Sequence, residues 1–140
     1  PESARTRVSA FGRAGLCVRV VDVTLEVRIP TFEARIFAYR PLEGVLGPHA
    51  SGAGCHPNRE VAVQRALLEA AQARVGALWE RANRARPGPR GLGRGDRPRP
   101  LSRGDAVWFK ENVPVKPFAS VLDYRHDDVL DDIGVMLAAL

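Results

Sequence analysis

Between Pro57 and Gly76 the chain reads NREVAVQRALLEAAQARV, with no glycine or proline to interrupt it. This segment constrains the fold more than any other, because a run so rich in Ala, Leu, Glu and Gln has to be a helix. Its start is well marked. Pro57 suits the first helical position or the one before it, Asn58 is a cap, and Glu60 places a carboxylate in the first turn. The helix is expected over about 58–83, with room to reach Arg84.

Wound at about 100° per residue, Glu69 lies about 40° and Gln72 about −20° from Arg65, so the three share one narrow stripe. Ala62, Ala66 and Ala73 flank it on one side, and Val61, Leu68 and Val75 on the other. Glu60, Gln64 and Arg74 gather on roughly the opposite side, which is the expected solvent face. The helix therefore has two polar sides and needs only one for water. Arg65 and Glu69 fit a surface pair at i,i+4, worth about 0.3 kcal/mol. They also fit a polar stripe lining a cleft, where a carboxylate and an amide one turn apart can hold Mg²⁺ and meet a phosphate. Periodicity leaves both readings open.

Upstream, LCVRVVDVTLEV at 16–27 is rich in β-branched residues and partly alternates. Pro30 breaks the run. TFEARIFAY at 31–39 then alternates Phe32, Ala34, Ile36 and Ala38 with Thr31, Glu33, Arg35 and Phe37. The short connection favours an antiparallel pair. Residues 41–57, carrying Gly44, Gly47, Gly52 and Gly54, read as a loop. The expected fold is α+β, an antiparallel strand pair packed against the long helix.

With 140 residues the chain suits one modest domain. Its net charge of +5 is concentrated in RARPGPRGLGRGDRPRPLSR, residues 84–103, whose seven Arg and one Asp give +6 and leave −1 for the rest. Four Gly, four Pro and few large aliphatics make this a linker or disordered loop, taken here as 84–104. An arginine-rich arm for RNA is the alternative; the absence of interleaved aromatics argues against it. Residues 105–140 read as part of the same domain as 1–83. A Pro-broken extended connection with anchors at Trp108, Phe109 and Phe118 leads to an amphipathic helix from Asp127. That helix finishes on Met136, Leu137 and Leu140, an apolar end that implies a continuation, a partner or self-association.

Two cysteines, Cys17 and Cys55, are too few for a disulfide framework, and His56 beside Cys55 has no second Cys/His pair to complete a zinc set. Reduced thiols, no apolar h-region in PESARTRVSA and no run long enough to cross a membrane point to a cytoplasmic protein.

The string SGAGCHPNREVAVQRALLEAAQAR resembles the YcaO-domain pattern G-x-G-x-H-P-x-x-E-x-A-x-x-R-A-L-x-E-A-x-Q-x-R. Gly52, Gly54, His56, Pro57, Glu60, Ala62, Arg65, Ala66, Leu67, Glu69, Ala70, Gln72 and Arg74 stand in its places. AGLCVRVVDVTLEVRIPTFEARI is similar to that family's strand pair, and FKENVPVK…DDVLDDIGVMLAAL to a later segment. The resemblance implies a partial YcaO-like domain and ATP-dependent activation of peptide backbone amides. That chemistry makes azoline, and from it thiazole or oxazole, rings in ribosomally made peptides such as bacteriocins. Glu69 and Gln72 would then be Mg²⁺ and ATP contacts and Arg65 a phosphate contact; no catalytic residue is assigned. ATP, Mg²⁺, a precursor peptide and a leader-binding partner protein are implied with it. The family's S-x-x-x-E-x-x-E-R motif is missing, residues 1–15 leaving no room for it, and a whole YcaO domain is more than twice this long. The expectation is thus a truncated chain, inactive alone; the alternative is a non-catalytic remnant that binds peptide or partner.

Overall fold

The structure, a computed structural model, describes residues 2–38, 49–84 and 115–140. Helix α1 (Glu2–Arg13) leads through a turn to strands β1 (Leu16–Asp22), β2 (Thr31–Ala38) and β3 (Ala50–Cys55). Helix α2 (Arg59–Arg84), a 3₁₀ turn at Phe118–Ser120 and helix α3 (Val129–Ala138) follow. The strands form one antiparallel sheet in the order β1-β2-β3. The α+β class and the antiparallel pair against a long helix are as the sequence predicts; the third strand is not.

β3 occupies part of the 41–57 segment expected to be a loop. Its sequence, ASGAGC, has no β-branched or aromatic residue to mark it. Pairing with β2 decides the matter: Thr31 faces Cys55, Glu33 faces Ala53 and Arg35 faces Ser51. Along β3 burial alternates, with Ala50, Gly52 and Gly54 turned into the protein and Ser51, Ala53 and Cys55 exposed. α1 was likewise not expected. Ala4, Val8 and Phe11 recur at i, i+4 and i+7, a signal that could have found it. Gly15, at φ 70°, ends the helix in a left-handed turn and delivers the chain into β1.

The first strand stops at Asp22 rather than Val27. Asp22 Oδ1 accepts from Thr24 N at 3.0 Å and from Thr24 Oγ1 at 2.5 Å, while Thr31 N donates to Thr24 Oγ1 at 3.1 Å. These bonds turn the backbone out of the ladder and close the hairpin. Lys116 Nζ reaches the other Asp22 oxygen at 2.7 Å, tying residues 115–125 to the sheet. Trp108, Phe109 and nearly all of the arginine-rich segment lie outside the described residues.

Phe32, Ala34 and Ile36 of β2 pack against Ala62, Val63, Ala66, Leu67 and Ala70 of α2, and this cluster is the core. The helix comes unusually close to β3. A Cβ placed on Gly52 would lie 2.7 Å from Ala66 O and 2.7 Å from the Glu69 carbonyl carbon, and would also strike Ala70 N. On Gly54 it would lie 2.5 Å from Ala66 N and would strike Ala62 O. Those neighbours are backbone and cannot give way. By contrast, a Cβ on Gly76, in the outer half of α2, meets nothing within 4 Å.

The 115–125 segment is strapped over the start of α2. Phe118 stacks on Phe32 with ring centroids 5.9 Å apart. The Arg59 guanidinium sits 5.2 Å above the Phe118 ring and donates through Nη1 to Ala119 O at 2.9 Å and Val121 O at 2.7 Å. Its Nε faces Asp123 Oδ2 at 3.5 Å, an ion pair rather than a hydrogen bond. α3 is capped by Asp128, which accepts from Leu130 N at 2.8 Å, and no residue of this helix is buried.

Gly54→Ala should cost about 1–3 kcal/mol, at the upper end because backbone must shift. Gly76→Ala should instead add about 0.5–1 kcal/mol. Urea unfolding of the two variants beside wild type checks the contrast; equal effects would contradict the close approach. A second expectation concerns pH. Partial burial pushes the Asp22 carboxyl up, but hydrogen bonds from Lys116 and Thr24 outweigh it and hold its pKa below the ordinary value. A lowered folded-state pKa gives stability that is full above the unfolded value, about 3.9, and lost as pH falls through the folded value. Asp22→Asn should therefore destabilise at pH 7, and the gap from wild type should close below about pH 4.

Candidate functional site

α2 presents Arg65, Glu69 and Gln72 on one exposed stripe. The opposite side, expected to face water, is half covered. Gln64 Nε2 donates to Ser3 Oγ of α1 at 2.9 Å, and Glu60 pairs with Arg125 at 2.9 Å. The stripe therefore carries the more exposed polar groups of the helix.

Its charged groups reach across to β3. Ala53 N–H donates to Glu69 Oε2 at 3.1 Å, and Arg65 Nη1 donates to Cys55 O at 3.3 Å. Among the described residues β3 lies at the edge of the sheet, and the outward N–H and C=O groups of such a strand need partners. The bonds of Arg65 and Glu69 run to this edge rather than to each other, so the surface-pair reading gives way to a helix-to-strand clamp. Gln72 stands exposed one turn further along. The glycines make this reach short: with α2 pressed on Gly52 and Gly54, Glu69 stands beside the strand.

Each group keeps capacity for a ligand. Glu69 Oε1 is left over once Oε2 is bonded, and a guanidinium has five N–H donors, of which the Cys55 carbonyl takes one. Among the described residues no three His, Cys, Asp or Glu side chains are grouped to hold a metal. The described residues thus offer no closed metal cage. One carboxylate with an amide nearby suits Mg²⁺, which keeps several waters and is bound through one or two carboxylates plus phosphates. α1 contributes only one carboxylate, Glu2, so it does not supply the missing two-Glu motif.

At the other end of the stripe, the His56–Pro57 corner is fixed by its own bonds. Asn58 N–H donates to His56 Nδ1 at 3.0 Å, so the neutral ring carries its proton on Nε2. That nitrogen faces Asp132 Oδ2 of α3 at 3.7 Å, and His126 Nδ1 approaches the other oxygen at 3.2 Å. Asn58 Oδ1 accepts from Glu60 N and Val61 N, and Asp123 Oδ1 from Arg59 N, so the start of α2 is capped by the protein itself. Both cysteines are free. Two open recesses lie elsewhere, one between the β1–β2 turn and α3 and one beside Glu2 and Glu60.

A family model described as YcaO cyclodehydratase, ATP- and Mg²⁺-binding, matches residues 2–140. The chain belongs to the YcaO family. Among solved structures the heterocyclase TruD superposes with a TM-score of 0.68 at 18% identity, over 99% of this chain and 18% of that one. A heterocyclase in complex with substrate and cofactor gives 0.61 at 16% identity, over 96% and 17%. At such identities the likeness shows the fold, and the chain spans less than a fifth of either structure's length. No curated protein matches. Among the described residues no helix is long and apolar enough to cross a membrane.

Sequence reasoning thus selected three residues that the YcaO fold does bring together on one stripe. It missed Ala53 and Cys55, which enter through backbone groups and have no side-chain signature. Since Arg65 and Glu69 are exposed, Arg65→Ala and Glu69→Ala should each change stability by at most about 1 kcal/mol. Thermal unfolding checks this; a larger loss would place the pair among the groups that hold the fold.

Proposed function

We propose that this chain supplies one wall of a site for ATP-dependent activation of peptide backbone amides. The observation that carries the reading is the exposed Arg65–Glu69–Gln72 stripe, clamped to β3 through Arg65 and Glu69, in a YcaO chain. When bound, ATP supplies the phosphoryl group that turns an amide oxygen into a leaving group. Phosphoryl transfer is mostly positioning and charge neutralisation, which is the kind of help these residues offer. Glu69 would hold Mg²⁺ through its remaining oxygen, Gln72 would contact the nucleotide or the metal, and Arg65 would neutralise phosphate charge. In the proposed reaction a neighbouring Cys, Ser or Thr side chain of a ribosomally made precursor would attack the amide carbon. The amide oxygen, phosphorylated after or together with that attack, would leave as phosphate, with loss of the amide N–H proton, to give the azoline ring. A leader-binding partner protein presents the peptide, and free thiols suit a cytoplasmic setting.

The described residues carry only this one wall, with a lone carboxylate on α1, so the chain alone should bind nucleotide without turning it over. A partner-binding role without chemistry is favoured by one observation. α3 exposes Val129, Leu130, Ile133, Met136 and Leu137 along its length. Strong self-association in sizing experiments with no nucleotide affinity would support that reading.

Calorimetry with Mg·ATP should show binding by wild type and a loss of about tenfold or more, about 1.4 kcal/mol, in Glu69→Ala and Gln72→Ala. Without Mg²⁺ the gap between wild type and Glu69→Ala should narrow. Folded wild type that binds no nucleotide would overturn the proposal.

A further inference from the structure

We infer that the backbone N–H of Ala53 is a positioning group: it fixes one oxygen of Glu69 so that the other is presented to a divalent cation. The inference rests on the proposed reading for the cation's role and on the structure for the bond. Ala53 lies at an outward position of the edge strand, opposite Glu33 of β2, and its N–H points away from the ladder to Glu69 Oε2 at 3.1 Å. An exposed glutamate otherwise samples many rotamers, and fixing one oxygen removes most of them before any ligand arrives. The bond is set up from below. Gly52, whose Cβ would lie 2.7 Å from the Glu69 carbonyl carbon, lets the helix backbone descend until the carboxylate reaches the strand edge. Arg65, bonded to Cys55 O one turn earlier, holds the same edge from the other end.

The bond could instead serve only to cap the strand, and Mn²⁺ alone separates the two roles. Ala53→Pro deletes the N–H where proline is tolerated, on the outward side of an edge strand. Ala53→Gly keeps it. Mn²⁺ affinity, read by electron paramagnetic resonance, should fall about 10-fold or more in Ala53→Pro, the effect expected of a group that orients a metal ligand. In Ala53→Gly it should stay near wild type, and in Glu69→Gln it should vanish. Equal losses in Ala53→Pro and Ala53→Gly would mean local distortion, and no loss in either would mean a cap; both overturn the inference, as does wild type that binds no Mn²⁺. Should Ala53→Pro not fold, amide hydrogen exchange decides. Mg²⁺ should slow exchange of the Ala53 amide in wild type and not in Glu69→Ala, a rate that does not respond to Mg²⁺ overturning the inference.

Calorimetry with Mg·ATP on the same proteins keeps this inference apart from the functional reading. Nucleotide bound equally well by wild type and Ala53→Pro sinks the positioning role and leaves the reading intact. Mn²⁺ bound in an Ala53-dependent way, with no nucleotide affinity, does the reverse.

Discussion

Everything in this fold follows from how closely α2 lies on β3. Gly52 and Gly54 offer no Cβ, and Ala62, Ala66 and Ala70 answer them with the smallest side chain a helix can carry. Backbone meets backbone. The glycines would ordinarily weaken a strand, but here the missing side chains are replaced by helix atoms at contact distance. The approach fixes the height and rotation of α2. It thereby decides which residues enter the core with Phe32 and Ile36 and which come out along the strand edge.

The rest of the described chain secures that arrangement. α1 packs beside β1 and reaches α2 through Ser3 and Gln64. The 115–125 strap is held at three places: on the hairpin by Lys116 and Asp22, on the core by Phe118 and Val121, and at the start of α2 by Arg59 and Asp123. Arg59 alone serves the last two, since its planar fork can stack on a ring and still donate to two carbonyls. α3 is attached more lightly, through Asp132 between two histidines, and Val129, Leu130, Ile133, Met136 and Leu137 remain outside.

How much of this was legible depended on which physical signal each part carries. The long helix and the β1–β2 hairpin announce themselves by composition and period. β3 does not, because its inward positions had to be glycine to admit the helix, and glycine reads as loop. α1 carried a readable i, i+4, i+7 pattern, but a weak one, with Val8 still 40% exposed. For the site, spacing alone put Arg65, Glu69 and Gln72 on one stripe, and the G-x-G spacing marked its neighbour. Which polar side faced water was not decidable from α2 by itself, because α1 and Arg125 cover the other one. Ala53 was out of reach altogether: any non-proline residue there would bring the same N–H.

The clamp between stripe and strand joins two requirements that a sequence states separately. A sheet edge needs its N–H and C=O groups occupied, and side chains can do that without carrying charge. Here a full carboxylate and a full guanidinium do it, each through a fraction of its hydrogen-bonding capacity. The carboxylate retains an oxygen, the guanidinium retains most of its donors, and both remain in contact with water. Capping the edge also costs the two side chains their rotational freedom, the same cost that a ligand would otherwise have to meet. An edge closed in this way leaves a pair of charges half used. That spare capacity belongs to side chains on the exposed side of the helix.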